Sequence, residues 1–378
     1  MMNRRDFIAG SMTLTMLGSP LFSARAEMLK KKNLVVVLLR GGMDGLTAVP
    51  PLDHELSSYR PDIFIDDSLR LNADFGLNPQ LKHFHSAWKE GKASIVHATN
   101  IPYTMRSHFE GQDLMESGGR TPFAESTGWL GRGIHASELD GLAISLPMPL
   151  LLRSPKSVDN FYPTRMDAPS PDMMKFVSQT YPSGSLLEST MQRVMARPVS
   201  MMSSNSSRDA KDLARTASRL LAKEDGPRVA VFDLDGFDTH ASQGNGNGEH
   251  SDKLAEFDEI LGRLQKGLGE AFDDTLVVTL TEFGRKIEQN GGNGTEHGYG
   301  TAVLLAGGLL KSAQIYSDWP GLKPKHRYEK QDLMATLDAR SIYCSAMAKC
   351  FETDFEKLRR EAFWNEPLED LQDQLFRS

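Results

Sequence analysis

Between Asn33 and Arg40 the chain runs Leu34-Val35-Val36-Val37-Leu38-Leu39, six apolar residues with no polar interruption. A strand with one wet face alternates apolar and polar residues. A strand without alternation must be covered on both faces, as a central strand of a parallel sheet is. Further short strands are predicted at Ser94 to His97, Leu142 to Leu146, Val229 to Leu234, Leu276 to Thr281 and Ala302 to Ala306. Helical patterns alternate with them. Asn78-Pro79 opens a helix carrying Leu81, Phe84 and Trp88 and stopping at Gly91, and Leu254, Phe257, Leu261, Leu264 and Leu268 form one apolar stripe. Alternating strands and helices predict an α/β fold.

The chain has 378 residues, 39% of them hydrophobic, enough to bury one large core or two modest ones. A net charge of -7 offers no basic footprint for a phosphate backbone, which argues against nucleic acid as a partner. Asn3-Arg4-Arg5-Asp6-Phe7-Ile8, an apolar run to Phe22 and the small-x-small site Ala24-Arg25-Ala26 read as a twin-arginine signal peptide over residues 1–26. The expected destination is the periplasm or beyond, with the twin-arginine export machinery as a partner. Residues 27–378 are predicted as a single domain with an inserted cap of helices and loops at about 154–223, rich in Pro, Ser and Met. Met166, Met173, Met174, Met191, Met195, Met201 and Met202 there either line an adaptable apolar pocket or fill irregular packing. Cys344 and Cys350, six apart on one predicted helix, face different sides and are beyond disulfide reach.

Ligands of open parallel sheets collect beyond the carboxyl ends of the strands. At those ends stand Arg40-Gly41-Gly42-Met43-Asp44, Arg106-Ser107-His108, Asp235 to His240, Glu282 and His297. Carboxylates and imidazoles from separate strands build cages for divalent ions with oxygen and nitrogen donors. Each residue also has a plainer reading. Asp44 suits a turn, Asp238 and His240 suit a loop cap, and Ser107 is either a nucleophile or a helix N-cap, with Arg106 beside it as an anion clamp. Glu282, directly after a buried strand, needs a partner on any reading.

Six motifs, LLRGGMDGL, RSHFEGQD, GWLGR, FDTHASQ, TEFGRK with GTEHGYGTAVLLAGG, and DWPGL, follow one another in the order found in the secreted bacterial domain-of-unknown-function family 1501. The chain resembles that family from about Leu34 to Phe351. The family is similar in fold to the alkaline phosphatase and sulfatase superfamily, so the resemblance implies a three-layer α/β/α sandwich with a mostly parallel sheet and a dinuclear metal site. It implies two divalent ions, with zinc, manganese, magnesium and calcium not distinguished, among Asp44, Asp235, Asp238, His240, Glu282 and His297. Ser107 falls at the nucleophile position, with Arg106 neutralising the anion. Two departures stand out: Phe283 where the superfamily has a histidine ligand, and Glu296 where relatives commonly show aspartate. The expected function is a periplasmic metal-dependent hydrolase or transferase of phosphate or sulfate esters, acting on an anionic small-molecule or glycan ester. The alternative is a non-catalytic secreted binding or assembly protein on the same scaffold. A co-encoded secreted protein is the expected protein partner in either case.

Overall fold

β1 (Asn33–Leu39) is buried along its length and has a parallel neighbour on each side, β7 (Val229–Leu234) and β8 (Thr275–Leu280). This is the central position that its unbroken apolar run requires. The computed structural model describes residues 31–139, 142–143, 148–154, 159–160, 170–195, 210–224 and 226–378. The proposed signal peptide, Met166, Met201, Met202 and part of the strand expected at Leu142 to Leu146 lie outside them. Beyond β7 lie β5 (Leu142–Ala143) and β6 (Asp159–Asn160). Beyond β8 lie β9 (Thr301–Ala306), β4 (Ala93–Asn100) and β10 (Ile315–Tyr316), with β11 (Leu337–Asp338) also paired to β4. A separate ribbon joins β2 (Leu69–Arg70) to β3 (Gly76–Leu77).

Within the large sheet, among the described residues, β9 alone runs against its neighbours β4 and β8. The sequence between β8 and β9 contains no helix, so the chain turns back at the edge it has just reached and must return antiparallel. The carboxyl ends of β1, β4, β7 and β8 and the amino end of β9 therefore share one edge. The sheet is mixed and mostly parallel.

Successive side chains of a strand point to opposite faces. Leu34, Val36 and Leu38 enter one core with Trp129, Ile342, Met347 and Leu358; Val35, Val37 and Leu39 enter the other with Phe84, Phe257, Leu261 and Leu264. Helices thus cover both faces. Fully burying each such aliphatic side chain contributes about 1.5–3 kcal/mol. The segment read as a cap divides in the structure. The helix Pro171–Ser178 buries none of its side chains, whereas Leu213, Ala217 and Leu220 of the helix Ala210–Leu221 sit in the second core, and β6 extends the sheet. Cys344 and Cys350 are buried on the helix Ala339–Phe351, where burial raises both thiols, Cys350 to about 12.

His97, on β4, is fully buried between Phe75 and Trp319. Its Nε2 lies 3.0 Å from the Val49 carbonyl and its Nδ1 accepts from the Ala98 amide. His250 is equally buried, accepting from the Asp44 amide at 3.3 Å. Burial lowers each imidazole to about 4. The unfolded chain, with histidine near 6.5, takes up protons first as pH falls, so stability is full above about pH 6.5 and declines toward pH 4. Each histidine contributes about 1.4 kcal/mol per pH unit across that window. Urea unfolding of His97→Gln at pH 7 and pH 5 is expected to show a smaller loss than the unsubstituted protein by roughly that amount per unit; equal losses would mean that His97 is already protonated in the fold.

Candidate metal centre

The shared sheet edge is organised around a buried cation, Arg285. From the end of β8 its Nε donates to the Gly42 carbonyl at 2.9 Å, Nη1 to the Thr295 carbonyl at 3.0 Å, and Nη2 to the carbonyls of Gly41 and Phe237 and to Asp238 Oδ1, the last at 2.6 Å. The loops after β1 and β7 and the loop before β9 thus meet on one guanidinium, whose planar fork suits such multiple acceptors. The same loops pack backbone against backbone. A Cβ on Gly41, at φ +113°, would collide with Phe237 and Asp238, and one on Gly294 or Gly298 with the backbone of His240 or Arg285. The glycine-rich run after β8 is needed for these approaches.

On this frame three imidazoles and a carboxylate converge. His297 Nε2 lies 2.9 Å from both His108 Nε2 and His240 Nε2, and Asp238 Oδ1 lies 3.2, 3.0 and 3.2 Å from the Nε2 atoms of His108, His240 and His297. The remote nitrogen of each ring is also held. His108 Nδ1 is 2.8 Å from Glu282 Oε1, His240 Nδ1 is 3.0 Å from Glu296 Oε2, and His297 Nδ1 is 2.8 Å from the Arg106 carbonyl. A carbonyl can only accept, and an ionised carboxylate likewise, so each Nδ1 carries its proton, and a ring so held presents its Nε2 inward, as a lone pair when the ring is neutral.

Burial alone would raise Asp238, but Arg285 and the neighbouring histidines outweigh it and lower the carboxyl to about 2. Glu282 is fully buried; burial pushes it up, yet hydrogen bonds from His108, Gln112 and the Gly41 amide bring it below its ordinary value. Burial opposes a charge on His108, and the Glu282 and Asp238 carboxylates reverse this and raise it. Burial lowers His297. Inward lone pairs 2.9 Å apart repel, so the group calls for a positive charge among them. Donors bound to a small cation at roughly 2.0–2.1 Å lie about 3 Å from one another, so His108, Asp238 and His297 fit a metal ion, with His240 beside His297.

Of the residues expected from sequence, the structure brings Asp238, His240 and His297 together, and adds His108, which stood in the RSH motif but was passed over for its neighbour. Glu282 holds His108 from behind, as outer carboxylates commonly orient ligating histidines. Glu296 does the same for His240, with Asn290 Nδ2 on its other oxygen at 2.7 Å. Phe283 lies against the rings of His108 and His297, with centroids 4.9 and 5.0 Å away. Asp44 is placed apart from the group. Fully buried, it caps the helix Gly45–Ala48 and binds Arg60 at 2.6 Å, Gln243 at 2.7 Å and Thr47 at 2.8 Å. Burial would raise its carboxyl, but Arg60 drives it well below the usual range. Asp235 is exposed and outside the group. Ser107 occupies the N-cap of the helix His108–Ser117 without its side chain capping it. Arg106 supplies its carbonyl to His297, while its guanidinium is bound by Asp332 and Glu329 and so is committed elsewhere than to an anion.

Fold and site together define an α/β protein with a histidine-carboxylate centre at the carboxyl edge of a mixed sheet. The chain belongs to the family described as "Protein of unknown function (DUF1501)", which its residues 87–342 match. No curated protein matches it in sequence. Solved structures to which the chain is similar include the following three. Murine ectonucleotide pyrophosphatase/phosphodiesterase 5 in complex with AMP is 11% identical, with 92% of this chain and 100% of that chain covered and a TM-score of 0.46. For alkaline phosphatase from the Antarctic bacterium TAB5 the values are 10%, 86%, 99% and 0.41, and for a Pseudoalteromonas sp. sulfatase 13%, 89%, 70% and 0.39.

Replacing Arg285 by Met would strand four carbonyls and the Asp238 carboxylate without their shared donor. Such a break is expected to cost about 3–5 kcal/mol in urea unfolding. A loss under about 1 kcal/mol would show that the loops hold without it.

Proposed function

We propose that this chain is a metal-dependent hydrolase or transferase of phosphate or sulfate esters, working with one ion held by His108, Asp238 and His297, with His240 beside them. The observation that carries the reading is the convergence of the His108 and His297 Nε2 atoms on the Asp238 carboxylate oxygen, with His240 Nε2 beside them and every remote Nδ1 fixed. Two imidazoles and one carboxylate suit zinc or a similar first-row ion better than calcium or magnesium, which take oxygen donors. Such an ion, when bound, supplies Lewis-acid polarisation of an ester oxygen. The two-ion arrangement is not part of this reading, because Asp44 and Glu282 are spent on Arg60 and His108. Ser107, next to His108 and at the positive end of a helix dipole, is the proposed nucleophile. With Arg106 bound to Asp332, part of the incoming charge falls to that helix end. Residues 1–26 are proposed to direct the folded, loaded protein outside the cytoplasm.

One observation favours the rival, a secreted binding or assembly protein with a structural ion: Asp238 Oδ1 is already paired with Arg285, an arrangement that favours rigidity. Protein purified without chelator is expected to carry about one ion per chain and to lose several degrees of melting temperature when stripped. His297→Ala should abolish both. Ser107→Ala should keep the ion and lose turnover of an aryl phosphate or sulfate by about 100-fold or more. Ion without any turnover in the unsubstituted protein would favour the rival, and no ion would remove the metal reading.

A further inference from the structure

Arg106 adopts φ +58°, a left-handed conformation that is strained for a residue with a Cβ and persists only where the surroundings enforce it. The contact that enforces it is an ion pair. Asp332 Oδ2 accepts from Arg106 Nε at 3.1 Å and Nη2 at 2.6 Å, and half-exposed Glu329 accepts from Nη2 at 2.6 Å. Asp332 is fully buried, and its other oxygen, Oδ1, has no hydrogen-bond partner among the described residues. Burying a carboxylate with half its acceptor capacity unused is a poor way to add stability, since an apolar pair serves as well or better. What this ion pair does well is fix a position.

The position it fixes is that of the Arg106 carbonyl, the acceptor for His297 Nδ1. Asp332 and His297 are moreover tied to opposite neighbours on one short segment. Lys286 bridges to Asp332, Arg285 bridges to His297, and the Lys286 amide donates to the Glu296 carbonyl at 2.9 Å. The Arg106 side chain and carbonyl close this frame into a ring. We infer that Asp332, acting through Arg106, is a positioning residue that sets the tautomer and aim of His297 at the centre. The inference rests on reading that centre as a metal site, and it gives the otherwise unexplained left-handed arginine a role.

The test is Zn²⁺ affinity by competition with a chromophoric chelator, together with the visible absorption of the Co²⁺-loaded protein. Arg106→Gly accepts the left-handed backbone but removes the clamp, and Asp332→Asn removes its charge. Each is expected to weaken Zn²⁺ binding about 10–100-fold and to alter the Co²⁺ bands. Arg106→Lys should recover part of the loss, and Glu329→Gln should cost less than about fivefold. The Arg106→Gly/Asp332→Asn double variant should bind no worse than the weaker single, because both act along one path. Should Asp332→Asn fail to fold, Arg106→Gly decides alone. Unsubstituted protein that binds zinc while Arg106→Gly binds it equally well, or losses that add in the double variant, would overturn this inference alone. Unsubstituted protein that binds no zinc would overturn it together with the metal reading.

Discussion

The carboxyl edge of the sheet depends on the guanidinium of Arg285. Three loops end there on backbone carbonyls, Gly41 and Gly42 from one, Phe237 from another and Thr295 from the third, and Asp238 completes the set. A fully buried cation is tolerable only when its donors are used, and here they are used to hold together segments far apart in sequence. The histidine group inherits its geometry from that frame. His240 lies two residues beyond Asp238 and His297 two beyond Thr295, so displacing the guanidinium displaces the donors.

Around this hub the polar residues divide by burial and partner. Asp44 and Arg60 form a second buried pair that braces the loop after β1, with Arg60 also donating to the carbonyls of Lys286 and Ile287. Glu282, Glu296 and the Arg106 carbonyl stand behind the imidazoles and decide which nitrogen faces inward. The outcome is a concentration of lone pairs that a cation relieves. Of the four carboxylates that sequence reading counted as ligands, Asp238 faces the centre, Glu282 orients His108, Asp44 braces the loop beneath it and Asp235 lies outside the group, while Glu296, read from sequence as a departure, orients His240.

Much of this was legible beforehand. The unbroken run Leu34–Leu39 placed β1 at the middle of the sheet, and periodicity placed β7, β8 and the helix Glu249–Leu268 within a few residues. Asp238, His240 and His297 were picked out because they follow or precede strands that share an edge. His108 was missed because serine in the same motif offered a more familiar chemistry, and neighbouring residues at a helix start point in different directions that one-dimensional spacing does not record. Within the segment read as an inserted cap of helices and loops, the helix Ala210–Leu221 carries an apolar stripe that belongs to the second core.

Sequence by itself determined which segments are strands and which helices, since burial on both faces or one leaves a periodic trace in residue type. It also determined the family, through ordered motifs. Only the tertiary structure decided that β9 runs antiparallel, that Arg106 gives its carbonyl rather than its charge, and that Glu282 and Glu296 stand behind histidines. Those assignments turn on which atom of a side chain meets which partner across the chain, from Arg106 to Asp332 or from Gly41 to Glu282. Contacts of that kind are fixed by packing in three dimensions and leave no period in the sequence.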